Sequence, residues 1–170
     1  MSTFPPDRAF LFRHPAHFLA LGLGSGLARR APGTFGSLAA IPLYFAGLAP
    51  LPLDWQLAII VVAFVVGIPL CGIAGRALGE VDHGSIVWDE MVAMWLLLAL
   101  EPHGLISVLL VFLLFRIFDI FKPFPIGWLD RRLKNPFGVM LDDLLAAGYA
   151  WLVLAALPHG WPMAGSVLHG

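Results

Sequence analysis

Two pairs of adjacent acidic residues stand at the edges of hydrophobic segments. They are Asp89-Glu90 and Asp142-Asp143, and each pair is followed by an apolar run. Carboxylate oxygens from two helices suit Mg²⁺, which takes one or two carboxylates and keeps waters for a substrate phosphate. The alternative is that acids at helix starts only complement the helix dipole. Because ionisable groups beside membrane segments are costly and tend to be functional, we predict that all four residues hold a divalent metal.

A second charged series lies in the segment FRIFDIFKPFPI, residues 115–126. The functional interpretation assigns Arg116 and Lys122 to phosphate oxygens, Arg through its planar fork and Lys as a point charge. Arg116 and Asp119 are three residues apart, so an alternative is that they pair with each other on a helix. Snorkelling to lipid headgroups is the alternative for Lys122, and it is the better explanation for three further basic residues: Arg131, Arg132 and Lys134.

The third element is the glycine-rich segment PGTFGS, residues 32–37, which follows Arg29-Arg30. Glycines beside hydroxyl residues at a helix start can present backbone N–H groups to an anion. Thr34 and Ser37 are therefore candidate substrate-binding residues. An ordinary hydroxyl N-cap explains the segment equally well.

The composition sets the environment in which these residues act. Of the 170 residues, 59% are hydrophobic and 12% are charged, against roughly 25% charged in soluble domains. A soluble domain of this size cannot bury so much apolar surface, and a disordered chain would be more polar. The length suits a single membrane-embedded domain over residues 1–170. The chain has no basic stripe for nucleic acid, no cleavable signal pattern is expected, and the lone Cys71 forms no internal disulfide.

Hydrophobic runs predict an all-α, polytopic helix bundle with four to five membrane helices. Two charge-free runs, Ala31–Leu53 and Trp55–Gly75, each approach the length of a span, and the helical part of the first is expected over Ser37–Ala49. Another helix should run from Leu144 to about Leu157, before Pro158. The middle pair, Met91–Leu100 and Leu105–Phe115, is short, so these helices either cross the membrane or form a re-entrant hairpin.

The basic residues predict the orientation of this bundle. With five crossings and a cytoplasmic N-terminus, all ten Lys and Arg residues fall on one side. The opposite loops, residues 50–54, 101–104 and 158–170, carry none. The positive-inside rule then places the basic side, together with the acidic pairs, in the cytoplasm.

Four motifs in order resemble the bacterial phosphatidylglycerophosphatase A family. They are PGTFGS, IVWDE (residues 86–90), FRIFDIFKPFPI and GVMLDD (residues 138–143). The chain departs from the family pattern at Ala93 and at Asn135-Pro136-Phe137, where glycines are usual. The resemblance implies a Mg²⁺-dependent phosphatase of the bacterial inner membrane that converts phosphatidylglycerophosphate to phosphatidylglycerol in phospholipid synthesis.

The mechanism that this resemblance suggests uses the residues already singled out. Asp89, Glu90, Asp142 and Asp143 hold Mg²⁺, and Asp119 is a further ligand or a general base. Arg116 and Lys122 neutralise the phosphoryl oxygens, with Thr34 or Ser37 donating a hydrogen bond. Direct attack by water and a phospho-enzyme both stay open. The expected partner is a phospholipid in the bilayer, with no obligatory protein partner.

Two other functions remain as alternatives. A small transporter or channel would place acids deep within the spans to line an ion path and would show internal repeats, which this sequence lacks. A metal-dependent headgroup transferase would need a spaced aspartate signature that is absent here. A cysteine nucleophile is disfavoured because Cys71 lies in an apolar run.

Overall fold

The computed structural model describes residues 6–101 and 104–157, and within these ranges the chain is helical without β-strands. Eight α-helices follow one another. They are α1 (Arg8–Arg13), α2 (Pro15–Ala20), α3 (Pro32–Leu43), α4 (Leu53–Leu78), α5 (Trp88–Leu100), α6 (Leu105–Phe121), α7 (Ile126–Arg132) and α8 (Pro136–Ala155). A 3₁₀ segment, Gly22–Leu27, precedes α3, and a π-helical turn, Tyr44–Leu48, extends α3. The expected all-α class is confirmed.

Helix α3 begins five residues earlier than the sequence indicated, at Pro32 instead of Ser37. Proline suits the first turn of a helix because its fixed φ is helical and its missing N–H has no helical partner there. The helical stretch ends near the expected place, since the π-helical turn continues it to Leu48. Pro42 inside α3 removes one backbone hydrogen-bond donor. Soon afterwards the backbone hydrogen bonds change to the wider π-helical pattern.

Two helices are long and apolar enough to cross a membrane. Helix α4 has 26 residues with mean hydropathy 2.8, and α8 has 20 residues with mean hydropathy 1.5. At 1.5 Å per residue they measure about 39 Å and about 30 Å. Helices α5 and α6 have 13 and 17 residues, which is shorter than a full span. The count of four to five crossings, and re-entry by the middle pair, stay predictions.

Apolar side chains cover the outer surface of the bundle. Val61, Val62 and Val65 on α4 are more than half exposed, as are Leu109 and Leu113 on α6. These residues recur at spacings of three and four, which places them along one face of each helix. Soluble proteins rarely expose apolar patches of this extent, and hydrocarbon covers them without cost. The exposed faces therefore indicate a membrane protein.

Helix α5 is the centre of the bundle and packs against α3, α4, α6 and α8. It is buried nearly all round, with Met91, Met94, Leu97 and Leu98 at 1% exposure or less. Two indole groups anchor it to its neighbours: Trp88 Nε1 donates to the carbonyl of Ala63 on α4, and Trp95 Nε1 to that of Ala40 on α3, each at 3.0 Å.

The chain reverses direction between successive long helices, so alternate helix ends gather together. The N-terminal ends of α3, α5 and α8 meet the C-terminal ends of α4 and α6, as the contacts of Gly33 with Arg116 and of Gly72 with Pro136 require. The other end holds the turn before α4, around residues 49–52, and Glu101, which directly follows α5. The first end carries every predicted site residue.

Candidate active site

Three helices and one connecting segment supply the charged groups of the site. Asp89 and Glu90 occupy the first turn of α5, where the positive end of the helix dipole favours carboxylates. Asp142 and Asp143 lie two turns into α8, and both are buried. Arg116 and Asp119 are in the last two turns of α6, and Lys122 follows that helix directly. The fold thus brings seven predicted site residues to one end of the bundle.

The carboxylates of Asp89, Glu90 and Asp143 form a compact group, here called the carboxylate cluster. One oxygen from each lies within 4.8 Å of the others. Asp89 Oδ1, Glu90 Oε2 and Asp143 Oδ2 are buried and have no hydrogen-bond partner. Charged oxygens buried without a partner are costly, and oxygen donors are the ligands that hard divalent cations prefer. The three residues therefore fit a divalent metal ion.

Asp142 is turned away from its neighbour in sequence and faces a different group. Its Oδ2 accepts a hydrogen bond from Lys122 Nζ, which also lies 3.7 Å from Asp130 Oδ1. Partial burial lowers the pKa of Lys122, but the Asp142 carboxylate outweighs this and the pKa ends above its ordinary value. Lys122 is therefore cationic at any physiological pH. Asp142 lies outside the carboxylate cluster, and its role as a metal ligand stays a prediction.

Arg116 lies between the carboxylate cluster and Asp119. Its Nη1 forms an ion pair with Asp119, as the spacing of three residues allows, and lies 3.8 Å from Glu90 Oε1. The Arg116 side chain is 14% exposed, and its Nε is buried without a hydrogen-bond partner. The Asp119 carboxyl also lies next to that of Asp143. Arg116 thus pairs locally and still keeps a donor unused beside the cluster.

The glycine-rich segment reaches the site through Gly33, a residue that sequence reasoning had not singled out. A Cβ atom at Gly33 would lie 2.1 Å from Glu90 Oε1 and 3.1 Å from Arg116 Nη1. A side chain at this position would therefore force the Glu90 carboxylate or the first turn of α3 to move. The signal in the sequence was the motif itself, whose glycines had been interpreted as presenting backbone N–H groups to an anion and not as allowing α3 to approach Glu90.

The two hydroxyl residues of that motif take different positions. Ser37 is fully buried, and its Oγ donates to the carbonyl of Gly33 at 2.9 Å. Thr34 is half-buried and follows Gly33 directly. Ser37 therefore supports the turn that approaches the site, and the assignment of either hydroxyl to substrate stays a prediction.

Two more residues connect Lys122 with the surface, and both had been missed. Asp130 on α7 lies 3.7 Å from Lys122 Nζ and accepts a hydrogen bond from Lys134 Nζ at 3.0 Å. Gly127 donates its N–H to the carbonyl of Lys122 at 3.2 Å. The sequence did not predict the contact of Asp130 with the site, because its partner there, Lys122, lies eight residues earlier and on the other side of a turn.

The charges of the site do not balance. In the described part of the chain, five carboxyl groups, those of the carboxylate cluster with Asp119 and Asp142, lie around two cations, Arg116 and Lys122. A sixth carboxyl group, that of Asp130, lies between Lys122 and Lys134. An anionic substrate would be repelled by such a site. A bound divalent cation would reduce this excess, so the arrangement favours metal binding before an anion enters.

Comparisons with known proteins assign the chain to a family. The model described as Phosphatidylglycerophosphatase A matches residues 18–158. The Phosphatidylglycerophosphatase A of Escherichia coli strain K12 is 42% identical over 153 residues, covering 88% of this chain and 87% of the relative. That of Haemophilus influenzae Rd is 46% identical over 160 residues, covering 94% and 98%. A relative from Bacteroides thetaiotaomicron, provisionally named a phosphatidylinositol-3-phosphatase, is 38% identical over 144 residues, covering 81% and 89%. No solved structure matches the chain.

An apolar helical bundle that gathers buried carboxylates, an arginine and a lysine at one end defines a membrane protein with a polyanionic, metal-compatible site. The chain belongs to the phosphatidylglycerophosphatase A family, and by this membership it is a phosphatase. The resemblance inferred from the four motifs is thereby confirmed.

Proposed function

We propose that the protein hydrolyses the terminal phosphate of phosphatidylglycerophosphate, giving phosphatidylglycerol and inorganic phosphate, with Mg²⁺ as its cofactor. The observation that carries this proposal is the carboxylate cluster, with its unpartnered oxygens, beside Arg116 and Lys122 at the end of an apolar bundle. The two relatives named for this activity, each covering most of the chain, support the same substrate.

The metal would be held by Asp89, Glu90 and Asp143, where it would polarise the phosphoryl group and lower the pKa of a bound water. The residues of the chain account for the remaining steps. Arg116, through its unused Nε, and the Lys122 ammonium bind phosphoryl oxygens and stabilise the negative charge of the transition state. Asp142 and Asp130 hold Lys122 in place. Asp119, next to Asp143, accepts the proton of the attacking water and returns it to the oxygen of the departing phosphatidylglycerol as the P–O bond breaks.

We place the protein in the bacterial inner membrane as a multi-pass protein, with the site on the cytoplasmic side. All ten basic residues of the sequence belong to the helix ends and loops on the site's side of the predicted topology. This asymmetry is the one that the positive-inside rule associates with the cytoplasm. A phosphomonoester on a membrane lipid would lie at the same level, at the headgroup plane.

The direct test is phosphate release by the purified protein in detergent micelles that contain phosphatidylglycerophosphate. Release should require Mg²⁺ and stop on addition of EDTA. Full turnover by both Asp89→Asn and Asp143→Asn would contradict the metal assignment. Phosphatidylinositol 3-phosphate and phosphatidic acid should be assayed in parallel, because the provisional name of the Bacteroides relative gives a specific reason to compare lipid phosphomonoesters.

A transporter or channel is the alternative, and the position of the acids argues against it. An ion path would need ionisable groups along the length of the bundle. Within α5, α6 and α8 the acids instead lie towards one end of the bundle, and Glu101, directly after α5, lies at the opposite end. Mg²⁺ or phosphate flux through sealed proteoliposomes, without phosphate release from lipid, would favour this alternative.

A further inference from the structure

A surface of aromatic and basic side chains lies where α6 turns into α7. We call it the elbow surface, and it comprises Phe121, Phe124, Trp128, Arg131, Arg132 and Lys134. Phe121 and Phe124 are 78% and 79% exposed. The Arg132 guanidinium lies 4.4 Å from the centre of the Trp128 ring. Exposed aromatic rings among basic residues are typical of the membrane–water interface.

The elbow surface is continuous with the faces that indicate contact with lipid. Ile117 and Ile120, 46% and 64% exposed, carry the apolar stripe of α6 up to it. Its three basic residues face outward, and they are complementary to anionic headgroups. The packing of α6 in the bundle thus sets the depth of the elbow surface in the bilayer. The positive charge of the elbow surface determines which lipids it attracts.

Two contacts connect the elbow surface with Lys122. Gly127, in the first turn of α7, donates its N–H to the Lys122 carbonyl at 3.2 Å. Asp130 lies 3.7 Å from Lys122 Nζ and accepts a hydrogen bond from Lys134 Nζ at 3.0 Å. Lys122 itself has a left-handed backbone, with φ of 42°, a conformation that depends on the surrounding contacts. These two contacts give a displacement of α7 a direct route to Lys122.

We propose that the elbow surface docks onto anionic phospholipid headgroups of the leaflet that holds the substrate, and that this docking positions Lys122 for turnover. The lipids concerned are neighbours of the substrate and are not themselves hydrolysed. Arg131 and Arg132 bind their phosphates, the aromatic rings enter the interface, and Asp130 and Gly127 transmit the position of α7 to Lys122. The inference rests on the proposed function, since it concerns the lysine assigned to the phosphoryl group.

The experiment compares turnover in phosphatidylcholine vesicles, in which the substrate is the only anionic lipid at the start, with turnover in vesicles that also contain phosphatidylserine. Phosphatidylglycerophosphate is kept at one saturating mole fraction and Mg²⁺ is in excess. The wild-type kcat should rise several-fold with phosphatidylserine. Arg131→Gln/Arg132→Gln should keep the kcat seen without phosphatidylserine and lose this rise. The matched control is Arg8→Gln/Arg13→Gln, which removes two exposed charges from α1 and should keep the rise.

A second measurement follows docking without relying on activity. Quenching of the Trp128 fluorescence by brominated phosphatidylserine, taken as the difference between the wild type and Trp128→Phe, should be strong in the wild type and weaker in the Arg131/Arg132 variant. Asp130→Asn should keep the quenching and reduce the rise in kcat, because it removes the ion pair between α7 and Lys122 and leaves the docking of the elbow surface onto lipid intact.

Each contrary outcome has one meaning. Equal kcat in both kinds of vesicle, or loss of the rise in the α1 control as well, would overturn the proposal. Absence of Trp128 quenching, as expected if a protein covers this surface, would overturn it too. Quenching as described without phosphate release in any vesicle would instead overturn the proposed function and the positioning role, while leaving lipid docking established.

Discussion

Asp142 and Asp143 are neighbours in sequence but face different partners. Asp143 belongs to the carboxylate cluster, whereas Asp142 contacts Lys122. Successive residues on a helix point about 100° apart, which explains the separation. The pair thus offers one carboxylate to the carboxylate cluster and one to the Lys122 ammonium.

Replacing these two aspartates should therefore have different effects. Asp143→Asn should abolish detectable turnover and weaken divalent binding, because it removes a ligand. Asp142→Asn should lower kcat by roughly 10- to 100-fold, the range typical of residues that orient a site, with little change in metal affinity. Phosphate release and isothermal titration with Mg²⁺ would measure both quantities. Equal losses of metal affinity in the two variants would mean that Asp142 is a ligand as well.

Gly33 provides a second test at the residue scale. In Gly33→Ala the new Cβ would lie 2.1 Å from Glu90 Oε1, so Glu90 or the first turn of α3 must move. We expect activity to fall by at least tenfold and the Mg²⁺ concentration for half-maximal activity to rise. Gly148→Ala is the matched control, because a Cβ there meets nothing within 4 Å. A Gly33→Ala protein with normal Mg²⁺ dependence would show that this close approach is unimportant.

At the scale of elements, the sequence predicted the helices whose hydrophobic runs were long. The run ending at Gly75 became α4, and the end of α8 fell near the expected Leu157. The start of α3 was missed because Pro32 and Gly33 suggested a loop, whereas proline is favourable in the first turn. The short helix α7 was not predicted at all. Its seven residues pack on α8, and such tertiary contacts leave little periodicity in the sequence.

The sequence predicted which residues form the site better than it predicted the contacts between them. Charged residues in apolar surroundings identified the groups that meet, because burial makes such residues conspicuous. Which carboxylate faces which cation depends on helix rotation and on the turn after Lys122, and neither leaves a pattern in the sequence. Asp130 and Gly127 were missed for this reason.

The turn between α6 and α7 can be tested through Gly127. A Cβ at this position would lie 2.7 Å from the carbonyl oxygen of Lys122, so Gly127→Ala should displace Lys122 while leaving the bundle folded. We expect kcat to fall by about tenfold or more with an unchanged apparent Mg²⁺ affinity, and circular dichroism should be that of the wild type. An unaltered kcat would show that Lys122 tolerates movement of α7.

At the scale of the whole molecule, the asymmetry of charge predicts one orientation in the membrane. The chain has a single cysteine, Cys71, which is buried, so a Cys71→Ala protein is a suitable background for cysteine labelling. In whole cells, an impermeant maleimide should label a cysteine placed at Pro50 and not one placed at Lys134. Permeabilised cells should label both. Labelling at Lys134 in intact cells would reverse the orientation and place the site in the periplasm.

The central claim is that Asp89, Glu90 and Asp143 form one divalent-cation site on which phosphate release depends. Binding of Mn²⁺ to the purified protein, followed by electron paramagnetic resonance, tests it most directly, with Glu101→Gln as a control for an acid at the opposite end of α5. The wild type and Glu101→Gln should bind Mn²⁺ and release it to excess Mg²⁺, whereas Asp89→Asn/Asp143→Asn should bind none at the same concentration. Wild-type Mn²⁺ affinity in the double variant would contradict the account.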